Sequence, residues 1–183
     1  MSRVAMLLTS IVMIVAVSAG IALAANITCQ GGNCLGTNKS DNITGSNQAD
    51  FITAASGSDT VNARRGADEL NGDRGNDTLN GGDSSDQAYG GSGNDHINGG
   101  GATDYLEGGR GTNVVDGQGG NNDVSNVVDG DANDFASGGD GSGDSCIVDF
   151  RSAEIFSQTN TSDGWSFTFC ERVFLTATPE ELP

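Results

Sequence analysis

The sequence is poor in the residues that build an ordinary globular core or a catalytic centre. Aromatic residues make up 5% of its 183 positions and histidine occurs once, whereas glycine takes 29 positions. So little bulky apolar surface argues against a compact core. Glycine-rich, acidic chains stay disordered unless something offsets the entropy of ordering them. Basic residues are scarce too: 8 Lys and Arg stand against 25 Asp and Glu, a net charge of -17. That balance repels phosphate backbones and anionic lipid, so no nucleic acid partner is expected, and it attracts cations. Neither H-E-x-x-H nor G-x-S-x-G occurs, and His96 is the only histidine. The chain is therefore not expected to be an enzyme. Its many carboxylates leave glycosidase chemistry open by residue type alone, but they recur at a fixed spacing that metal binding explains better.

What the sequence does have is a period. Residues 90–98, Gly90-Gly91-Ser92-Gly93-Asn94-Asp95-His96-Ile97-Asn98, fit G-G-x-G-x-D-x-U-x at every specified position, U being a large aliphatic. Steps of nine from Asp95 land on Asp41, Asp50, Asp59, Asp68, Asp77, Asp86, Asp104, Asn113 and Asn122. Two residues beyond these ten positions lie Ile43, Ile52, Val61, Leu70, Leu79, Ala88, Ile97, Leu106, Val115 and Val124. Ten nonapeptides, residues 36–125, thus share one phase. Asn126-Val127-Val128 then reads as a three-residue insertion. Residues 129–137 make an eleventh copy with Asp134 and Ala136 at the acidic and aliphatic positions. Residues 138–146 make a decayed twelfth, its acidic residue displaced by one and Cys146 where the aliphatic should be.

Each nonapeptide divides into a six-residue turn and a three-residue strand. Glycines at positions 1, 2 and 4 let the backbone take positive φ and turn its carbonyls to one side. With the Asp at position 6 they offer hard oxygen donors, which suit calcium better than magnesium. Two nonapeptides make one coil, so residues 18 apart stack and the aliphatics at position 8 point inward. The expected metal ligands are Asp41, Asp50, Asp59, Asp68, Asp77, Asp86, Asp95, Asp104 and Asp134, with Gly57, Gly75, Gly93, Asn76 and Asn94 of the same turns. One aliphatic per repeat is a thin core, and stacked carboxylates repel one another. The chain is expected to fold with Ca2+ and to be largely disordered without it.

Alternate repeats face opposite edges of such a stack. Position 4 on the first edge is Lys39, Gly57, Gly75, Gly93 and Gly111; on the second it is Gln48, Gly66, Ser84, Ala102 and Gly120. A Cβ in a left-handed conformation costs roughly 1 kcal/mol or more. Asp59, Asp77 and Asp95 are therefore expected to form the tight ladder and Asp68, Asp86 and Asp104 the weak one, both fading at Asn113 and Asn122.

Residues 36–146 resemble the RTX, or haemolysin-type, calcium-binding nonapeptide-repeat family; only 90–98 matches the motif completely, and 72–80 misses it by one glycine. The resemblance implies an all-β fold, a right-handed parallel β-roll solenoid of about twelve repeats. It also implies calcium between successive turns, held by backbone carbonyls and Asp, with folding after export.

The flanks supply the rest. Arg3, the apolar run from Val4 to Ile21 and Ala22-Leu23-Ala24 read as a signal peptide over residues 1–24 cleaved near Ala24, with an uncleaved membrane anchor as second choice. Export to the extracellular space would place the four cysteines in an oxidising compartment. Residues 25–35 form an N-terminal cap with a Cys29–Cys34 disulfide, and Cys146–Cys170 staples the other end, since other pairings would join opposite ends of an elongated object. A zinc site built on the same scattered cysteines is the rival use. In residues 147–183, Trp165, Phe167 and Phe169 alternate with Ser166 and Thr168, and Val173, Leu175 and Ala177 follow, as in half-buried strands of a C-terminal β-cap. The expected role is a secreted, monomeric, calcium-binding structural module. The alternative is a calcium-dependent carbohydrate-binding or adhesive module, with a cell-surface polysaccharide as partner.

Overall fold

A computed structural model describes residues 24–129, 134–149 and 172–176, and among these residues there are strands and no helix. In chain order the strands are β1 (Asn26–Thr28), β2 (Gly32–Leu35), β3 (Asn42–Thr44), β4 (Asp50–Thr53), β5 (Thr60–Arg65) and β6 (Glu69–Asn71). Then come β7 (Thr78–Asp83), β8 (Gln87–Ser92), β9 (His96–Ala102), β10 (Tyr105–Arg110), β11 (Val114–Gly120) and β12 (Val124–Val127). The last are β13 (Phe135–Ser137), β14 (Ser145–Asp149) and β15 (Arg172–Thr176). Odd strands from β1 to β13 make a first, seven-stranded sheet; even strands with β15 make a second, eight-stranded one.

Neighbouring strands in both sheets are parallel, and through the middle of the chain each pairs with the strand 18 residues on, as Val61 with Leu79 and Leu70 with Ala88. This is a parallel β-solenoid of seven coils. The twelve nonapeptides account for six. The additional coil is the first, β1 and β2, built from the segment read as a cap. The Cys29–Cys34 disulfide closes the turn between these two strands, with Cα atoms 5.7 Å apart. Cys146 is also disulfide-bonded. Its expected partner Cys170, the expected strand around Trp165 and residues 1–23 of the expected signal peptide (residues 1–24) lie outside the described residues. At the other end β15 adds to β14 in parallel and extends the second sheet.

The core is a double column between the sheets. Ile43, Val61, Leu79, Ile97 and Val115 face inward from the first sheet, and Ile52, Leu70, Ala88 and Leu106 from the second, all fully buried. Alternation in each strand puts the residues on either side of them outward, the pattern of a sheet with one dry face.

The phase is lost one repeat earlier than the nine-residue step implies. Val124 pairs with Tyr105 and Ser125 with Leu106, an offset of 19. Asp123, not Asn122, takes the acidic position, and Ser125, not Val124, points inward, with its hydroxyl donating to the Ser137 carbonyl at 2.8 Å. Val127 supplies the apolar burial that Val124 does not. The expected three-residue insertion is therefore split: one residue enters the turn before Asp123, the others follow Val124. The reason lies in the stack. A buried carboxylate is available one residue later, and Asn122 takes a left-handed φ of 63° to absorb the extra length, which Asn tolerates better than most residues.

Candidate metal centre

Two columns of acidic side chains run along the edges where the chain turns from one sheet to the other. On the first edge the Asp41 N–H donates to Asp59 Oδ1 at 2.6 Å, Asp59 to Asp77 and Asp77 to Asp95, each at 2.8 Å. The series continues from Asp95 to Asn113 Oδ1 at 3.0 Å and from Asn113 to Asp134 at 2.6 Å. The second edge repeats it: Asp50, Asp68, Asp86, Asp104, Asp123 and Asp144 each accept from, or donate to, the next turn at 2.8–3.0 Å. Every one of these first- and second-edge residues from Asp41 to Asp104 is at least 96% buried. The acidic position is therefore a wall of the core as much as an edge.

From Asp59 on, one carboxylate oxygen is spent on the neighbouring turn and the other is left over; Asp50 instead accepts the Ser46 N–H of its own turn on Oδ2 at 2.7 Å and leaves Oδ1. Asp50 Oδ1 and the Oδ2 atoms of Asp59, Asp68, Asp77, Asp86, Asp95, Asp104 and Asp123 are buried with no hydrogen-bond partner. A buried carboxylate oxygen without a donor is costly, and a series of eight points to a shared missing partner. Its surroundings say what kind. A Cβ placed on Gly72 would lie 2.6 Å from Asp77 Oδ2 and 2.5 Å from the carbonyl oxygen of Gly90 in the next turn. On the second edge a Cβ on Gly81 would lie 2.5 Å from both Asp86 Oδ2 and the Gly99 carbonyl. Anionic and carbonyl oxygens thus converge on one small space beside Gly72, Gly81, Gly90, Gly99 and Gly117, whereas Ala54 and Ala63 hold position 1 in the turns of Asp59 and Asp68. Hard donors of both kinds fit Ca2+. Among the described residues no three His, Cys, Asp or Glu side chains converge, so one carboxylate per turn would have to be supplemented by backbone carbonyls. With Cys29, Cys34 and Cys146 in disulfides, no thiolate of theirs is available for zinc.

The glycines divide into two classes. Positive φ occurs at position 4, as at Gly57 (140°), Gly75 (134°) and Gly93 (131°), and at position 2, as at Gly82 and Gly91. Position-1 glycines such as Gly72, Gly81 and Gly90 have no positive φ; they are needed because a side chain there would fill the space between carboxylate and carbonyl. Several non-glycine residues accept the left-handed conformation, among them Ala55, Arg64 and Asp73 at position 2 and Ser84 (90°) and Ala102 (84°) at position 4.

Two expected ligands are used otherwise. Asn76 and Asn94 are exposed, and their Oδ1 atoms accept from the N–H groups of Asn94 and Thr112 at 2.8 and 2.9 Å. Ser40 Oγ plays the same part for the N–H of Ser58 at 3.0 Å, making an outer ladder along the first edge. Asp41 also differs from its successors. Its Oδ1 accepts from Ala25 N–H at 2.9 Å and its Oδ2 from Thr37 N–H and hydroxyl at 2.6 and 2.8 Å. The nine-residue step passes over Asp123, which the D-x-S triplet at its turn end could have marked; Asp144 is the displaced acidic residue of the twelfth copy.

Burial raises the carboxyl pKa values where no cation is bound. Desolvation is the main cause at Asp77 and Asp86, each pushed up to about 7, and at Asp104 and Asp123, up to about 6. Donation of the neighbouring turn's N–H opposes the rise in each case, and adjacent carboxylates add to it. Asp59, Asp68 and Asp95 shift the same way for the same first cause. A column of such groups favours either protons or a divalent cation.

The model of the RTX calcium-binding nonapeptide repeat, in four copies, matches residues 35–70, 64–97 and 89–124. The chain is an RTX-repeat protein. The matched span, 35–124, holds the carboxylates from Asp41 to Asp123 and the glycine cradles between them, so the calcium-binding β-roll is the part the family model describes. No curated protein and no solved structure matches the chain.

Proposed function

We propose that this RTX-repeat protein is a secreted structural module whose roll folds only when calcium is supplied outside the cell. The observation that carries the reading is the repeated buried carboxylate oxygen with no donor, set beside the next turn's glycine carbonyl. In a calcium-poor compartment these carboxylates would be buried unpaired and stacked against one another, which disfavours the roll. Bound calcium would supply the missing positive charge. Its binding free energy then counts toward folding, because the unfolded chain has no such site. Secretion is supported by the signal-like pattern of residues 1–24 and by disulfides, which persist in oxidising compartments. We propose no catalytic activity; His96 is exposed on the outer face of the first sheet. In chelator the mature chain should give the circular-dichroism spectrum of a disordered protein, and millimolar calcium should convert it to β. A β spectrum indifferent to chelation would overturn the proposal.

A second reading, calcium-dependent binding of a surface polysaccharide, draws on one feature. Tyr89 and Tyr105 lie on the outer face of the second sheet with ring centroids 6.0 Å apart, their hydroxyls donating to Gln87 and Glu107. A glycan array in calcium, with Tyr105→Ala as control, tests it.

A further inference from the structure

The first-edge column contains one neutral member, Asn113, and its amide is not idle. Asn113 is fully buried. Its Oδ1 accepts from the Asp95 N–H at 3.0 Å, the role that Oδ1 plays in every first-edge turn before it. That bond fixes which way the amide faces, because the opposite orientation would set two donors against each other. Nδ2 therefore stands where the acidic turns carry the unpartnered Oδ2. It donates both of its hydrogens within its own turn, to the carbonyls of Gly109 and Gly111 at 2.9 and 3.0 Å. A Cβ on Gly108 would meet Nδ2 at 3.0 Å, where the equivalent point on Gly90 meets Asp95 Oδ2 at 2.5 Å.

We propose that the Asn113 amide is a built-in substitute for a calcium ion, and that it interrupts the first-edge series of sites after Asp95. An NH2 group at this place is a donor and cannot ligate a cation. It also takes up the position-2 and position-4 carbonyls of its own turn. All three amide contacts are made, so the turn from Gly108 to Asn113 closes without metal at no cost in unsatisfied polar atoms. On the second edge the equivalent step keeps a carboxylate, Asp123, with its Oδ2 unpartnered. The two edges of one coil would then differ in metal content because of a single side-chain atom.

The inference rests on the calcium reading, and calcium stoichiometry separates the two. Equilibrium dialysis of the full chain at saturating calcium should give one more equivalent for Asn113→Asp than for the wild type, and an unchanged number for Asn113→Ala. Calcium bound by the wild type with no added equivalent in a folded Asn113→Asp variant overturns the substitute role alone. No calcium bound by either protein overturns both. A second measurement does not depend on the variant folding: in the calcium-loaded wild type the Asn113 carboxamide protons should exchange with solvent orders of magnitude more slowly than those of exposed Asn76. Exchange at the same rate as Asn76 overturns the proposal.

Discussion

The two edges of the roll carry the same acidic column but are built to different standards. On the first, position 4 is glycine from Gly57 through Gly111, and the side chains of Ser40, Asn76 and Asn94 add an outer ladder. On the second, Ser84 and Ala102 sit at φ 90° and 84° at position 4. Ala49 and Ala67 hold the ladder position in its first turns and have no polar group, so the outer ladder there begins only at Ser85, whose Oγ accepts from the Thr103 N–H at 3.3 Å. Yet the second edge keeps a carboxylate at every turn, through Asp123 and Asp144, whereas the first is interrupted at Asn113 before it ends in Asp134. Asp41 and Asp50, which begin the two columns, accept from the Thr37 and Ser46 N–H groups of their own turns, and Asn113 is satisfied by its own amide. The first edge has the better-formed turns but one neutral member; the second has an unbroken series of carboxylates on turns with more left-handed non-glycine residues. Quality of the turn and number of carboxylates are separate variables.

The largest expected effect comes from removing a central carboxylate on each edge. Asp77→Ala and Asp86→Ala both strand a buried N–H, of Asp59 and Asp68 respectively, at about 1–3 kcal/mol. That common loss cancels in the comparison. Asp77→Ala should raise the calcium midpoint of folding more, because its turn is the better formed. Equal midpoints in a calcium titration, or a larger shift for Asp86→Ala, would break the contrast.

Next in size is a transplant of the second edge's imperfection into the first. Gly75 has φ 134°, and a Cβ there would run into the Gly57 carbonyl. Gly75→Ser should cost on the order of 1–3 kcal/mol, read as a lower thermal midpoint in calcium. Loss no greater than experimental error would mean that position 4 does not control the site. The reverse change should be smaller and of opposite sign. Ser84→Gly and Ala102→Gly relieve a left-handed Cβ and should each stabilise by up to about 1 kcal/mol, less the entropy that glycine adds to the unfolded chain.

The smallest expected difference between edges is in pH. Asp77 on the first and Asp86 on the second are both raised to about 7 by burial. Without metal, the folded roll therefore binds more protons than the unfolded chain between about pH 4 and 7. Its metal-free stability is greatest below the unfolded pKa and is lost as pH rises through the folded value. In chelator, acidification toward pH 4 should increase β structure. Asp77→Asn and Asp86→Asn should reduce that pH dependence to a similar degree. A metal-free chain that becomes less ordered on acidification would contradict the burial of these groups.

Legibility in the sequence followed the physics of repetition. Asp and an aliphatic two residues apart, nine residues from the next pair, are local and recur, so the coil length, the inward columns and the carboxylates from Asp41 to Asp104 could all be read. The break in phase could not. Asn122 and Val124 satisfy the pattern as well as any pair before them, and the rival Asp123 is followed two residues on by Ser125 rather than an aliphatic, so the slip leaves only a weak local mark. The seven-residue turn that carries it does recur: Gly117 to Asp123 is matched by Gly138 to Asp144, with left-handed residues at Gln118 and Asn122 and again at Gly139 and Gly143.

By itself the sequence determined the period, the cation-seeking charge and the residues that stack, because each depends only on which atoms repeat and how far apart. Tertiary structure decided which oxygen of each carboxylate is free, why the position-1 glycines have no side chain, and that residues 25–35 form a coil. It also decided the role of Asn113, an absent charge in the sequence but a hydrogen-bonded closure in the fold. These are properties of the gap between turns 18 residues apart, and that gap exists only once the coils lie on one another.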